Sequence, residues 1–245
     1  MIKRCFLISI IFLANAAGSF AGDDEELVNN IFMLIYNQQF PEAEMILQTH
    51  NDKLEKSSFY FLTLDLNWWK FILSPSEMSS RQYNTLLKTI KSEKNIAAED
   101  NINRLIWLSY QMRFELKRYN FFATAVLHSE IKKVLGEINE NGAEYKEGKM
   151  KLFRLYTALF KYYDNILNPF FQESKRRARA EALNEIELLA IENSRIVSTL
   201  ANYFLGKIYL DYEKKPAEGN RHYKILVEKY PHNRLFRELL AMSGK

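Results

Sequence analysis

The four histidines are the residues best suited to metal binding, and their spacing argues against a helical zinc site. They are His50, His128, His222 and His232. A zinc site on a helix needs two histidines three or four residues apart, as in His-Glu-x-x-His. No two of the four have that spacing. The sequence therefore predicts scattered imidazoles and no bound metal.

Signatures of cofactor and nucleophile chemistry are missing from the sequence. It contains no P-loop, no glycine-rich dinucleotide turn and no Gly-x-Ser-x-Gly elbow. With only eight glycines in 245 residues, a phosphate-binding loop has little to be built from. The prediction is a protein without a cofactor.

Paired carboxylates offer the remaining route to catalysis. Glu137 and Glu140 form one pair, and Glu185 and Glu187 form another. A glycosidase opposes two carboxylates across a sugar site and raises the pKa of one. Solvated helix faces carry many such glutamates, so the sequence favours a non-enzyme. An exported all-α enzyme acting on polysaccharide or peptidoglycan is the alternative.

The densest basic cluster has two interpretations. Its members are Lys175, Arg176, Arg177 and Arg179. A solvated helix face is favoured, because Glu173 and Glu181 stand close enough to pair with it. The alternative is contact with an acidic partner or with anionic lipid head groups.

Aromatic residues are the candidate contacts for a partner. Trp68 and Trp69 are adjacent, so on a helix they point roughly 100° apart, and one could be buried while the other is exposed. Trp107 and Tyr110 stand three residues apart. Packing between helices is the commoner use of such residues. If a binding patch exists, an exposed tryptophan is expected to dominate it.

The elements that position these side chains are predicted to be helices throughout. Apolar residues recur at intervals of three and four, whereas Gly and Pro are scarce. Ser74-Pro75-Ser76-Glu77 has the pattern of a helix start, with Ser74 as N-cap. The predicted spans are 23–37, 41–53, 57–73, 75–93, 97–118, 120–139, 143–167, 169–193, 195–213, 216–229 and 232–242.

The carboxyl-terminal hairpin carries a repeat-like pattern. Small and aromatic residues recur in it at fixed places, namely at Leu205, Gly206, Tyr209, Gly219, Tyr223 and Pro231. The segment 199–233 resembles a tetratricopeptide repeat with one extra residue in its turn. Near the amino end, Ala43 occupies the corresponding small position. The physical expectation is that Gly206 and Gly219 let two helix backbones approach, while Tyr209 and Tyr223 fill the space beside them.

The resemblance implies an all-α fold of stacked antiparallel hairpins, an α-solenoid with a concave surface. In such a superhelix each hairpin contacts mainly its neighbours, and the shallow groove holds an extended peptide or a partner helix. We expect residues 22–245 to form one elongated domain of this type. Its oligomeric state stays open.

Residues 1–21 have the pattern of a secretory signal peptide. Lys3 and Arg4 precede a short apolar run, and Ser19-Phe20-Ala21 supplies a cleavage site. Cleavage would remove Cys5, the only cysteine, and lower the formal net charge from +4 to +2 (32 basic minus 30 acidic residues). We therefore expect an exported, periplasmic or envelope-associated protein without a transmembrane segment and without a nucleic-acid partner.

Taken together, these patterns predict an exported, non-catalytic scaffold that binds a protein or peptide. Besides the enzyme, a carrier of a small ligand or lipid is an alternative. A carrier would need a closed apolar cavity inside the helical stack, where a scaffold needs an open groove.

Overall fold

The computed structural model describes residues 23–92, 101–141, 147–167 and 173–243. These residues form helices and no β-strand, so the all-α prediction is confirmed for them. The predicted signal peptide lies outside the described residues. The α-helices, in chain order α1 to α11, are Asp23–Tyr36, Phe40–Thr49, Lys56–Leu73, Glu77–Ser92, Asn101–Lys117, Phe121–Asn141, Glu147–Leu167, Glu173–Ala190, Arg195–Lys207, Pro216–Lys229 and Arg234–Ser243.

The start of α4 differs from the prediction. Ser74 and Pro75 precede the helix, which begins at Glu77. The backbone N–H of Ser79 donates to Oγ of Ser76 at 3.0 Å, and the N–H of Ser76 donates to Oγ of Ser79 at 2.8 Å. Ser76 is therefore the cap. In a capping box, a side chain in the first turn accepts a bond from the backbone N–H of the cap residue, and the sequence pattern placed the Glu77 carboxylate in that role. Here the Ser79 hydroxyl accepts that bond.

The helices form hairpins arranged in an inner and an outer layer. Each odd-numbered helix from α1 to α9 packs against the even-numbered helix that follows it. The odd-numbered helices also meet one another: α1 contacts α3, α3 contacts α5, and α7 contacts α9. The inner α3 buries eleven of its 18 residues, whereas the outer α4 buries three of 16. The inner layer is therefore the core of the molecule.

The first hairpin contacts the last one. Asn233, which is fully buried, donates from Nδ2 to the backbone carbonyl of Tyr36 at 2.7 Å. Its Oδ1 accepts from Nε2 of Gln38 at 3.0 Å. The Tyr36 ring lies 5.4 Å from the Tyr230 ring and 6.2 Å from the Phe236 ring. Helix α1 also contacts α9.

These contacts correct the prediction of an elongated stack. In an open solenoid each hairpin contacts mainly its neighbours. Here the two ends of the chain share an aromatic cluster and a buried amide, although 197 positions separate Tyr36 from Asn233. Sequence periodicity reports only local spacing, so it carries no information about this closure.

The hairpin of α9 and α10 packs closely at two glycines, as the sequence predicted. A Cβ on Gly206 would lie 2.6 Å from Cε1 of Tyr223. A Cβ on Gly219 would lie 2.9 Å from Cγ of Leu210 and 3.0 Å from the carbonyl oxygen of Gly206. The ring of Tyr223 fills the space that the missing side chain of Gly206 leaves. The predicted close approach of the two helices is confirmed.

A π-helical turn follows α9 and accommodates an extra residue. It spans Ile208–Tyr212, and the N–H of Glu213 donates to the carbonyl of Ile208 at 2.9 Å. The wider i to i+5 turn accommodates one residue more than an α-helical turn. It lies where the repeat-like pattern contains its extra residue. Lys214 then turns the chain with φ at 56°.

Gly206→Ala is expected to destabilise the protein. The new methyl group meets the Tyr223 ring, and overpacking of this kind costs about 1–3 kcal/mol. The matched control is Gly136→Ala in α6, where a Cβ meets nothing within 4 Å. That change is expected to stabilise by about 0.5–1 kcal/mol, because alanine favours a helix interior. Urea unfolding measures both, and shifts of the same sign would contradict the packing described.

Candidate functional site

The structure buries all four aromatic residues predicted as partner contacts. The exposed fractions are 3% for Trp68, 0% for Trp69, 8% for Trp107 and 0% for Tyr110. The expected exposed tryptophan is therefore wrong. The reason is that α3 belongs to the inner layer, so residues pointing 100° apart are both covered. Trp69 packs against α1 and α11, whereas Trp68 packs against α4.

The partners of these aromatic rings are core residues. Trp69 meets Tyr36 at 5.2 Å and Phe236 at 5.7 Å between ring centroids. Trp68 meets the Tyr83 ring at 5.8 Å. Nε1 of Trp107 donates to the backbone carbonyl of Leu87 at 2.9 Å. These are packing contacts between helices, the commoner of the two roles considered from sequence.

Two buried ionisable residues that the sequence reasoning missed lie among these rings. Asp65 of α3 is fully buried, and Arg113 of α5 is 4% exposed. The Tyr110 hydroxyl donates to Oδ1 of Asp65 at 2.7 Å. The Arg113 guanidinium lies 3.8 Å from the centroid of the Trp68 ring, a cation–π contact. The available signal was one carboxylate inside a long apolar stretch, residues 59–73.

Burial controls the protonation of this polar centre. It raises the pKa of Asp65 to about 7, although the Tyr110 hydroxyl, the Arg113 charge and the Tyr36 hydroxyl all favour the carboxylate. Burial also raises the pKa of the Tyr36 and Tyr110 hydroxyls well above the usual value. The tyrosines therefore stay neutral, and Asp65 titrates near neutral pH.

This centre is enclosed, which limits the chemistry that it can perform. Asp65 and Tyr110 have no accessible surface, so a solute cannot reach them in this conformation. A catalytic carboxylate has to come within hydrogen-bond reach of its substrate. The arrangement acts on the stability and pH response of the core.

His222 and His128 pack against neighbouring side chains, whereas His50 is half-buried beside Thr49 and His232 is exposed. Nδ1 of His222 lies 2.8 Å from Oδ1 of Asn202, and burial lowers the pKa of His222 to about 4. His128 stacks on Phe160, and its pKa is lowered by burial despite the nearby Asp164. Among the described residues, no group of three or more His, Cys, Asp or Glu side chains could hold a metal ion.

Three glutamates of the predicted carboxylate pairs contact side chains of neighbouring elements, and the side chain of Glu140 lies outside the described part of the structure. Glu185 accepts from Nε of Arg154 at 2.7 Å, and Glu187 accepts from the Tyr209 hydroxyl. Glu137 lies 3.7 Å from Arg104 of α5. These partners lie on neighbouring helices, so the glutamates tie helices together.

The basic residues of α8 differ in their surroundings. Some lie on a solvated face, and one contacts another element of the fold. Arg177 pairs with Glu181 one turn later at 2.8 Å, as expected for a solvated face. Arg179 turns inward and donates to Glu213 at 2.6 Å. Glu213 also accepts from the Tyr162 hydroxyl at 2.5 Å. Arg176 stays exposed.

A surface groove lies between α7 and α8, and we call it the α7–α8 groove. Its volume is about 460 Å³. Small side chains leave its floor shallow, while long charged ones form its rims. The lining residues are Phe153, Arg154, Thr157, Ala158, Lys161, Ala178, Glu181, Ala182 and Glu185.

The two rims of the α7–α8 groove have opposite charge. Arg154 and Lys161 belong to α7, whereas Glu181 and Glu185 belong to α8. The ion pair of Arg154 with Glu185 connects the rims at one point. The groove therefore has mostly buried small residues at its floor, a basic edge and an acidic edge.

Comparison with protein-family models, with curated proteins and with solved structures finds no match for this chain. Within the described ranges, no helix is both long enough and apolar enough to cross a bilayer.

Asp65→Asn is expected to flatten the pH dependence of stability. Between pH 4 and 7 the folded protein holds a proton on Asp65 that the unfolded chain releases, because the folded pKa is about 7. The free energy of unfolding therefore falls as pH rises through this window, by at most about 1.4 kcal/mol per pH unit. His222, with its lowered pKa, acts in the opposite direction in both proteins.

The measurement is urea unfolding at several pH values for the wild type and for Asp65→Asn. The difference between the two proteins removes the contribution of His222 and of the surface groups. We expect that difference to change across pH 4–7 in favour of the variant as pH rises. A difference that stays constant with pH would contradict the raised pKa of Asp65.

Proposed function

We propose that the protein is a non-catalytic binding domain that holds a partner protein in the α7–α8 groove. The groove carries the proposal, because it is an open depression between two packed helices, lined by small and charged side chains. The polar centre around Asp65 is closed to solutes. A scaffold needs an accessible binding surface, and its core has only to hold that surface in place.

The shape of the α7–α8 groove fits a helix. Ala178 and Ala182 stand one turn apart on α8, and Ala158 lies across from them on α7. Small residues at a helix interface let a second backbone approach closely, and amphipathic helices bind grooves of this kind through residues spaced three and four apart. We therefore propose a partner helix over an extended peptide.

The rims define the chemistry of that helix. A carboxylate on one flank would meet Arg154 and Lys161, and a lysine or arginine on the other would meet Glu181 and Glu185. Opposite charges on two parallel rims select one orientation of the partner, because the reversed helix would place like charges together.

We further propose that the hairpins are diverged tetratricopeptide-type repeats. The packing of Gly206, Gly219 and Tyr223 supports this origin for the last hairpin. Leu205 and Tyr209 are buried beside them, while Pro231 follows α10 on the surface. On α2, Ala43 is fully buried at the corresponding small position. The family's open superhelix is replaced here by contact between the ends.

Export is part of the proposal. The pattern of residues 1–21 supports secretion, and a periplasmic or envelope-associated location follows from it.

Ala178→Leu is expected to abolish partner binding. The larger side chain fills the floor of the α7–α8 groove, and because Ala178 is partly exposed the fold should tolerate it. Ala180→Leu is the matched control, since this residue of the same helix is exposed outside the groove. The immobilised mature proteins are incubated with an envelope extract, cross-linked, and their bound proteins identified by mass spectrometry.

The proposal predicts a protein retained by the wild type and by Ala180→Leu but lost from Ala178→Leu. Urea unfolding of both variants confirms that they are folded. Retention of the same protein by all three forms would contradict binding in the groove. Absence of any retained protein would contradict the scaffold itself.

A further inference from the structure

The turn between α5 and α6 exposes aromatic side chains that the fold does not use. Phe122 is 82% exposed, Tyr119 is 51% exposed and Phe121 is 50% exposed. Val126, one turn after Phe122 on α6, is 46% exposed. Isolated exposed apolar residues are ordinary, but several adjacent ones mark an interaction site. We call residues 117–126 the aromatic turn.

The aromatic turn is built rigidly. Tyr119 adopts a left-handed conformation, with φ at 60°, that reverses the chain. The backbone N–H of Asn120 donates to the carbonyl of Glu115 at 2.9 Å, and Nδ2 of Asn120 donates to Oε2 of Glu115 at 2.9 Å. Glu115 is buried and also accepts from Gln111 at 2.7 Å. The aromatic rings are thus displayed by a fixed turn.

The charge of the aromatic turn is positive. Lys117 and Arg118 are both exposed and immediately precede Tyr119. From Lys117 to Ser129 the chain contains no aspartate or glutamate. The Arg118 guanidinium lies 5.2 Å from the centroid of the Phe114 ring, one turn earlier on α5.

We propose that the aromatic turn docks the protein onto an anionic lipid bilayer. Aromatic rings partition into the interface between head groups and acyl chains, while Lys and Arg next to them contact anionic head groups. The rings are exposed on a turn, so they can enter a soft bilayer without a complementary pocket. The site is separate from the α7–α8 groove, and the inference does not depend on the proposed function.

The experiment is co-sedimentation of the mature protein with lipid vesicles. Vesicles of mixed phosphatidylcholine and phosphatidylglycerol supply the anionic surface, and pure phosphatidylcholine vesicles are the neutral comparison. We expect binding to the anionic vesicles that weakens with added salt, since exposed charges are screened. Little binding to the neutral vesicles is expected.

Phe122→Ser tests the aromatic contact. It should lower the partition coefficient on anionic vesicles by roughly tenfold or more, because one inserted ring is lost. Ile191→Ser is the matched control, as Ile191 is 81% exposed and lies after α8. It should bind like the wild type. Equal loss in both variants, or no loss in either, would overturn the proposal.

Lys117→Gln with Arg118→Gln tests the electrostatic contact. The double change should weaken binding to anionic vesicles by roughly 25-fold, about fivefold for each cation. The same change at Arg176 and Arg177 of α8 is the control and should have a small effect. A larger loss in this control would place the lipid contact on α8 and overturn the proposal. So would failure of the wild type to bind anionic vesicles.

Discussion

The buried side chain of Asn233 joins the last hairpin to the first, and this contact closes the arrangement of helices. Its amide bonds the backbone of Tyr36 and the side chain of Gln38, and its Oδ1 also accepts the N–H of Phe236 at the start of α11. A buried amide left without partners is costly, so the two bonds to Tyr36 and Gln38 favour one register between the hairpins. The aromatic rings packed around Tyr36 cover this junction.

Closure explains why the chemistry-bearing residues are inaccessible. With the first and last hairpins in contact, Asp65, Arg113 and both tryptophans of α3 are part of the core. A buried carboxylate and guanidinium are weak evidence for stability, because their desolvation opposes their attraction. Binding is therefore left to the outer surface, where the α7–α8 groove and the aromatic turn differ in shape and in charge.

Local features could be predicted from the sequence, and long-range ones could not. Helix positions follow from apolar spacing, and the approach at Gly206 and Gly219 follows from the absence of side chains. The burial of both Trp68 and Trp69 was missed, because helical geometry gives their angle and not the number of helices around them. The groove depends on which alanines of two helices face each other, and the exposure of the aromatic turn depends on where the other helices lie.

The distance between the first hairpin and the last tests the closed arrangement of helices most directly. Spin labels at Gln39→Cys and His232→Cys occupy exposed positions on either side of the junction, and residues 22–245 contain no other cysteine. The closed arrangement predicts a narrow, short distance, since Oδ1 of Asn37 lies 3.4 Å from the backbone nitrogen of His232. An open stack of hairpins spaced about 10 Å apart would separate the labels by roughly 40 Å, and that result would contradict closure.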